Sequence, residues 1–303
     1  MECLKKIISI ILQLFIMIML FVVIVSLPML FINGKKVGIH VEHFFTQCIH
    51  VISALIHPEE LKLKMATQVA TVSNNVQIFK IQEREFPLFP LIFKPYTYSL
   101  VLILGALIVS ICSSFLCSII AAVSPRRVQR VIEEAVFFLK TIPDVFLIFF
   151  LQLFMVSIYR YTGFLPLHPF STMQNTSIVL PLLILAIIPT ISLFQFQMLL
   201  INEEQKQDYV MFARAKGFGN MYILCRHIFR NMVVSVVNHI ESILLALITS
   251  LFVFEYMFNI RGLFSILISG QDPVIIVYLL LLFIVPMYGV IVGLNWLRRK
   301  LYA

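Results

Sequence analysis

The sequence predicts an all-α membrane protein with six transmembrane helices. Three observations carry this: a large apolar excess, six apolar segments of spanning length, and basic residues held between them. Apolar residues make up 60% of the 303, charged residues only 13%, and the mean hydropathy is +0.99. A soluble domain carries about 25% charged residues, so this chain lacks the polar groups to cover itself in water. A spanning helix needs about 20 mostly apolar residues. Segments 7–32, 97–123, 135–159, 178–201, 232–256 and 274–297 meet that length.

The first segment follows Lys5 and Lys6, but its apolar run from Ile7 to Ile32 is longer than a signal-peptide core, and no small-x-small cleavage site follows it. It reads as a retained first span, residues 1–32. The second span follows a long segment, 33–96. Within it Val41, Phe44, Phe45, Cys48, Ile49, Ile52, Leu55 and Ile56 recur at helical spacing. Glu42, His43, Thr46, Gln47, His50 and Ser53 take the opposite face, and Pro58 closes the pattern. This predicts an amphipathic helix on the outer membrane surface or packed over the bundle. The remainder, to Phe86-Pro87, reads as a small irregular or mixed cap. In the third span Lys140 and Asp144 stand four residues apart, a spacing that lets them pair across one helical turn.

Orientation follows from the basic residues. Lys5 and Lys6, then Arg126, Arg127 and Arg130, then Lys206, Arg214, Lys216, Arg226 and Arg230, then Arg298, Arg299 and Lys300 fall on one side, while the short opposite loops hold only Arg160 and Arg261. Cytoplasmic loops collect Lys and Arg, so both termini are expected in the cytoplasm of a cell-membrane protein. The net charge of +8 is distributed as a topology signal, with no groove-reading motif, and gives no reason to expect nucleic acid.

Several chemistries are not written in the chain. Five cysteines show no metal-ligand spacing. His43, His50 and His57 are each separated by about 10.5 Å along a helix, too far to share an ion, and His40 and His43 lack a third partner. No H-E-x-x-H, G-x-S-x-G or phosphate-binding G-x-x-x-x-G-K-[ST] occurs. A catalytic role and a self-contained ATP site are therefore not expected.

The segment between the fourth and fifth spans, 202–231, is the most informative. It reads as a short helix, a glycine stop and a second helix entering the membrane. Asp208 is a candidate N-cap, Gly217 a C-terminal stop, and Asn220 a second cap. Ala213, Ala215 and Gly217 offer a small-residue end, ringed by Arg214, Lys216, Arg226 and Arg230.

The string Asp208-Tyr209-Val210-x-x-Ala213-Arg214-Ala215-Lys216-Gly217, followed by Arg226-His227-x-x-Arg230-Asn231, resembles the coupling loop of binding-protein-dependent ABC permeases, most closely the dipeptide/oligopeptide/nickel branch. Thr141-Ile142-Pro143, Gly163-Phe-Leu-Pro166, Leu180-Pro181, Glu255, Arg261-Gly-Leu263 and Asp272-Pro273 are similar to that branch as well. The likeness covers about residues 97–303. The branch's Pro-Gly-Asp-Pro motif after the first helix is missing, and Ser235 stands where a proline is usual.

The resemblance implies a type I ABC importer permease fold, with 97–303 as the permease core and 202–231 as the loop that docks on an ATPase. It implies a second permease subunit, a different chain, two ATP-binding subunits and an extracytoplasmic substrate-binding protein. ATP-Mg would sit on the partners and no cofactor on this chain. The expected cargo is a peptide or a related small solute, a nickel chelate included. In this branch the fifth helix lies near the translocation path. Asn238, Glu241 and Ser242 are then expected either to line that path, with Glu241 favouring a cationic group, or to bond across helices to a partner. Glu255 is counted with them as a candidate for the path, where it is expected to hold a gate or outer loop. The competing reading is an ATPase-independent channel or secondary transporter.

Overall fold

The computed structural model describes residues 2–33, 36–73, 76–172, 176–269 and 271–302. In chain order these form α1 (Glu2–Ser26), a short turn of helix at Pro28–Phe31, the strand pair β1 (Ile32–Asn33) and β2 (Lys36–Val37), and α2 (Val41–Ile56). The strands β3 (Lys62–Ser73) and β4 (Val76–Pro87) follow, then α3 (Phe93–Val123), α4 (Arg126–Lys140), α5 (Asp144–Thr162) and α6 (Val179–Glu204). The rest is α7 (Asp208–Ala215), α8 (Phe229–Met257), α9 (Leu263–Ile268) and α10 (Pro273–Tyr302). Among the described residues six helical stretches are long and apolar enough to cross a membrane: Ile8–Phe31, Phe93–Val123, Asp144–Thr162, Val179–Glu204, Asn220–Met257 and Pro273–Lys300. The fold class predicted from sequence is the one observed.

The chain divides into two compact units, Met1–Tyr96 with Gly262–Val290, and Thr97–Arg261 with Ile291–Ala303. In the first unit α2 packs against α1 and the Pro28–Phe31 turn. The amphipathic helix is present as expected. It turns Val51 fully inward and leaves Phe45, Ile49 and Ile56 exposed, so it carries an outward apolar stripe beside its inward one.

The expected irregular cap is instead a regular antiparallel hairpin, twelve residues per strand, with Lys62 opposite Pro87 and Ser73 opposite Val76. Leu63 at its base is fully buried, as are Leu88 and Ile92 just beyond it. A side chain completes the anchorage. The Gln271 amide accepts the Lys64 backbone N–H at 2.9 Å and donates to the Lys64 carbonyl at 2.8 Å, filling the place of a third strand. Lys64 Nζ also meets Asp272 Oδ1 at 2.8 Å.

The second unit is a helical bundle centred on α6 and α8. On α3, Ala106, Ser110, Ser114 and Ser118 recur every four residues and are all buried, a small-residue stripe that admits close approach of a neighbouring helix. A Cβ on Gly105 would come within 2.6 Å of Leu182 Cδ1. Deep in this contact Gln197 of α6 is fully buried. It accepts from Ser118 Oγ at 2.8 Å and donates to Ser114 Oγ at 3.2 Å.

The third span needs correcting. It begins at Asp144 rather than near 135, because Thr141–Pro143 interrupts the chain after α4. Proline bars its predecessor from helical geometry and removes a backbone donor. The break also undoes the Lys140–Asp144 pair. Lys140 Nζ donates to Gln195 Oε1 at 2.9 Å, and Asp144 Oδ2 accepts from Ser250 Oγ at 3.3 Å. The cysteines whose side chains are described, Cys48, Cys112, Cys117 and Cys225, are free. The Cys3, Lys5 and Lys6 side chains lie outside the described ones.

The Gln197 contact yields a test. Replacing both Ser114 and Ser118 by alanine strands the buried amide, at a cost of about 1–2 kcal/mol for interhelical bonds in membranes. Gln197→Leu should be milder, since each serine hydroxyl already reaches its own helix carbonyl, Ile111 at 2.9 Å and Phe115 at 3.0 Å. Thermal unfolding in detergent should rank the double serine variant below Gln197→Leu.

Candidate functional site

The loop between α6 and α8 folds into a short helix, a glycine stop and a second helical turn that leads into α8. Gln207, in extended backbone geometry, is the N-cap of α7, and Asp208 is the first helical residue. Asp208 is therefore not the cap expected from sequence, although its charge still favours the helix N-terminus. Likewise Gly219, not Asn220, caps the turn Asn220–Ile223. Gly217 does end α7 as predicted, with φ +82°. The Gly217 N–H donates to Arg214 O at 2.9 Å, and the Phe218 N–H to Ala213 O at 3.3 Å. That pair of bonds is a Schellman closure, which demands a left-handed residue at this position. Residues Leu224–Ile228 then form one π turn before α8, an irregularity frequent at functional sites.

Val210 and Ala213 face inward and are buried, so Ala213 is not available for contact as expected from its size. Ala215 and Gly217 are exposed, as are Asp208, Arg214, Lys216, Arg226, Arg230 and Asn231. The sequence reading weighed small and basic residues and overlooked the apolar ones. Met211, Phe212, Phe218, Met221 and Tyr222 are all exposed. Their signal was legible: α7 has Val210 and Ala213 on one side and Met211 and Phe212 on the other, and so is apolar on two faces. Phe218 stacks on Tyr222 with centroids 5.0 Å apart, and Lys216 Nζ lies 4.4 Å from the Phe212 ring centre.

Aromatic residues and one carboxylate brace the projection from below. Tyr209 donates its hydroxyl to Glu204 at the end of α6. Burial, followed by that bond to the Glu204 carboxylate, pushes the phenol up to about 12, so it stays a donor at any physiological pH. The half-buried His227 ring stands between Tyr209 and Tyr222, with centroids 6.4 and 5.9 Å away. Asn231 adds a further hydrogen bond to Tyr209.

The polar positions of α8 part company. Asn238 accepts from Arg298 Nη1 at 3.2 Å. Ser242 lines a cavity among α5, α6 and α8, which Glu241 and Asn238 do not reach. The three therefore do not form one lining face in this cavity. Glu255 is almost fully buried and accepts from Ser99 Oγ on α3 at 2.5 Å. Its backbone carbonyl receives the Ile260 N–H at 2.8 Å, so this residue ties α3 to the chain that leaves α8.

Residues 114–301, more than half of the chain, match the family described as binding-protein-dependent transport system inner membrane component. The chain belongs to that family. It is a membrane-spanning permease component of an ABC importer, whose ATPase activity resides on a separate subunit. Membership sets aside the reading as a stand-alone channel or secondary transporter. A solved structure of the MetNI methionine ABC transporter in inward-facing conformation shares the permease fold, with a TM-score of 0.52 at 13% identity, over 69% of this chain and 94% of that one. Among the described residues no group of three or more His, Cys, Asp or Glu side chains is placed to hold a metal ion.

The permease's glycine stop can be tested in isolation. Open space surrounds a Cβ at Gly217, so the left-handed backbone alone opposes other residues, by about 1–2 kcal/mol. Gly217→Val should raise amide hydrogen exchange across 211–216 by roughly five- to thirty-fold. Gly217→Asn, which tolerates that geometry, should leave exchange near the parent rate.

Proposed function

We propose that the permease couples solute import to ATP hydrolysis through the projection 208–231, which docks into a cleft of an ATP-binding subunit. The observation that carries this reading is the combination on one rigid knob of exposed apolar side chains (Met211, Phe212, Phe218, Met221) with Arg214, Lys216, Arg226 and Arg230 around them. Exposed aromatic and methionine side chains rimmed by arginine are the usual make-up of an interface centre. The Tyr209–Glu204 bond ties the knob to the end of α6, and the Schellman closure fixes the far end of α7. A push on it therefore passes into a membrane helix instead of bending a loop. Closure of the ATPases around ATP would move this knob and bias the bundle between two arrangements.

The assembly that fits is this chain, a second permease of different sequence, two ATP-binding subunits carrying ATP-Mg, and an extracytoplasmic binding protein. The basic residues between spans support cytoplasmic termini and, with them, a knob on the ATPase side of the cell membrane. The likeness of 208–231 to the peptide branch supports a peptide or related small solute, a nickel chelate included, as cargo.

Affinity purification of the tagged chain from mild detergent tests the docking. Recovery of ATP-binding subunits with the parent chain, and their loss with Phe212→Asp or Ala215→Trp at unchanged membrane insertion, is the expected outcome. Retention of the ATPases by both variants would place the docking surface elsewhere.

A further inference from the structure

The second unit holds a partly open cavity of about 150 Å³ among α5, α6 and α8. Its walls are mainly apolar, with Ile188, Ile243, Leu247 and Phe254 among them, yet Asp144, His239, Ser242 and Ser250 also line it. The level is set by α8. Ser250 lies seven residues before Met257 at the helix end, or about 10 Å at 1.5 Å per residue.

The polar groups are rich in acceptor sites. Asp144 offers carboxylate oxygens, only one of which is engaged, by Ser250 Oγ at a long 3.3 Å. His239 stacks its ring on Phe196 at 4.4 Å, and its Nε2 is buried with no hydrogen-bond partner among the described residues. Lys140, the lysine of the preceding helix, is held by Gln195 and does not line the cavity. Among the described residues a carboxylate, a buried imidazole nitrogen and serine hydroxyls line the cavity and no lysine or arginine does, although the Lys140 ammonium lies near enough to act on His239 from outside it. An unpaired acceptor at membrane depth is costly, so the set calls for a donor. An ammonium group supplies three.

We propose that this cavity binds a primary ammonium carried on a compact apolar body and that the group belongs to the transported solute. Asp144 is its counter-ion, His239 Nε2 and a serine hydroxyl accept its other N–H bonds, and the apolar walls take the body. A cavity of this volume accommodates about four to six carbons, since one of roughly 150 Å³ holds benzene. The amino-terminal residue of a small hydrophobic peptide has this chemistry, as does a free hydrophobic amine. The proposal rests on the chain importing a small solute and adds the feature of the solute that the membrane domain recognises.

The test uses the intact complex of the full chain with its ATP-binding partners in lipid nanodiscs, probed by fluorine NMR with 4,4,4-trifluorobutylamine and its neutral counterpart 4,4,4-trifluorobutanol, whose four carbons suit the volume. The amine should bind at least ten-fold more tightly than the alcohol. Asp144→Asn, which keeps the side-chain shape, should abolish that preference and leave alcohol binding unchanged, while Asp144→Glu should restore part of it. The amine should also compete with uptake of a labelled hydrophobic peptide in cells. Equal binding of amine and alcohol, a preference unaffected by Asp144→Asn, or amine binding without competition would each overturn the proposal. Co-purification of the ATP-binding subunits reports separately on the docking reading. Loss of amine binding from a complex that still holds them removes this inference alone.

Discussion

A membrane interior offers no water to a polar group, and the architecture of this permease follows from that constraint. Backbone N–H and C=O groups at depth must be satisfied within the segment, which leaves helices as the spanning elements here. The same demand applies to side chains, and it is met by pairing across helices. Gln197 finds Ser114 and Ser118, Glu255 finds Ser99, and Gln152 donates to the carbonyls of Pro169 at 3.0 Å and Met257 at 3.3 Å. Apolar surface carries no comparable penalty. On α5, Phe146, Phe149, Phe150, Leu153 and Phe154 are all exposed, which would be ruinous in water and is neutral against hydrocarbon. Polar contacts and small-residue contacts therefore fix which helices meet, while the bulk of the apolar residues face outward.

Where the chain leaves the apolar interior, different devices take over. The projection 208–231 is built from capping chemistry: an extended Gln207, a left-handed Gly217 and the paired bonds to Ala213 and Arg214. Among the described residues the hairpin β3–β4 has no third strand, and two-stranded ribbons are marginal alone. Gln271 repairs this by presenting an amide side chain to the backbone of Lys64 as a strand would. In both places a single side chain or backbone angle stands in for a packed core.

These differences explain what could be read from the sequence. The spans were legible because hydropathy is a property of composition, and the run Ile8–Phe31 or the first turns of α10 need no partner to be recognised. Gly217 was legible because one residue type satisfies its backbone angle. The cap assignments slipped by one residue at Asp208 and Asn220, since Gln207 and Gly219 cap through backbone geometry without a side-chain bond. The hairpin was missed because Ala66, Thr67, Ala70 and Thr71 weaken the contrast between the two faces of β3, and its anchor at Gln271 lies 207 residues from Lys64. Ala213 was misjudged for a related reason: its size shows in the sequence, whereas its inward direction depends on where α7 rests. Neither the Asp144–Ser250 contact nor the His239–Phe196 stack has a local signal at all.

The break at Thr141–Pro143 shows how one local rule reaches the interior of the bundle. Because proline ends α4, α5 begins again at Asp144, and a new helix start exposes backbone N–H groups and a positive dipole end inside the unit. A carboxylate is costly at depth, but at the first turn of a helix it meets partial positive charge that reduces the cost. Had the helix run through from 135, Asp144 would sit in mid-helix with its neighbours' N–H groups already engaged, and pairing with Lys140 would have been its natural outlet. The interruption sends Lys140 to Gln195 instead and turns Asp144 toward Ser250 on α8. Across the same cavity Pro189 interrupts the bonding of α6, since it lacks the N–H that would complete its own turn. Pro189 on α6 and the helix start at Asp144 thus meet at one small space, a combination that neither helix would produce alone.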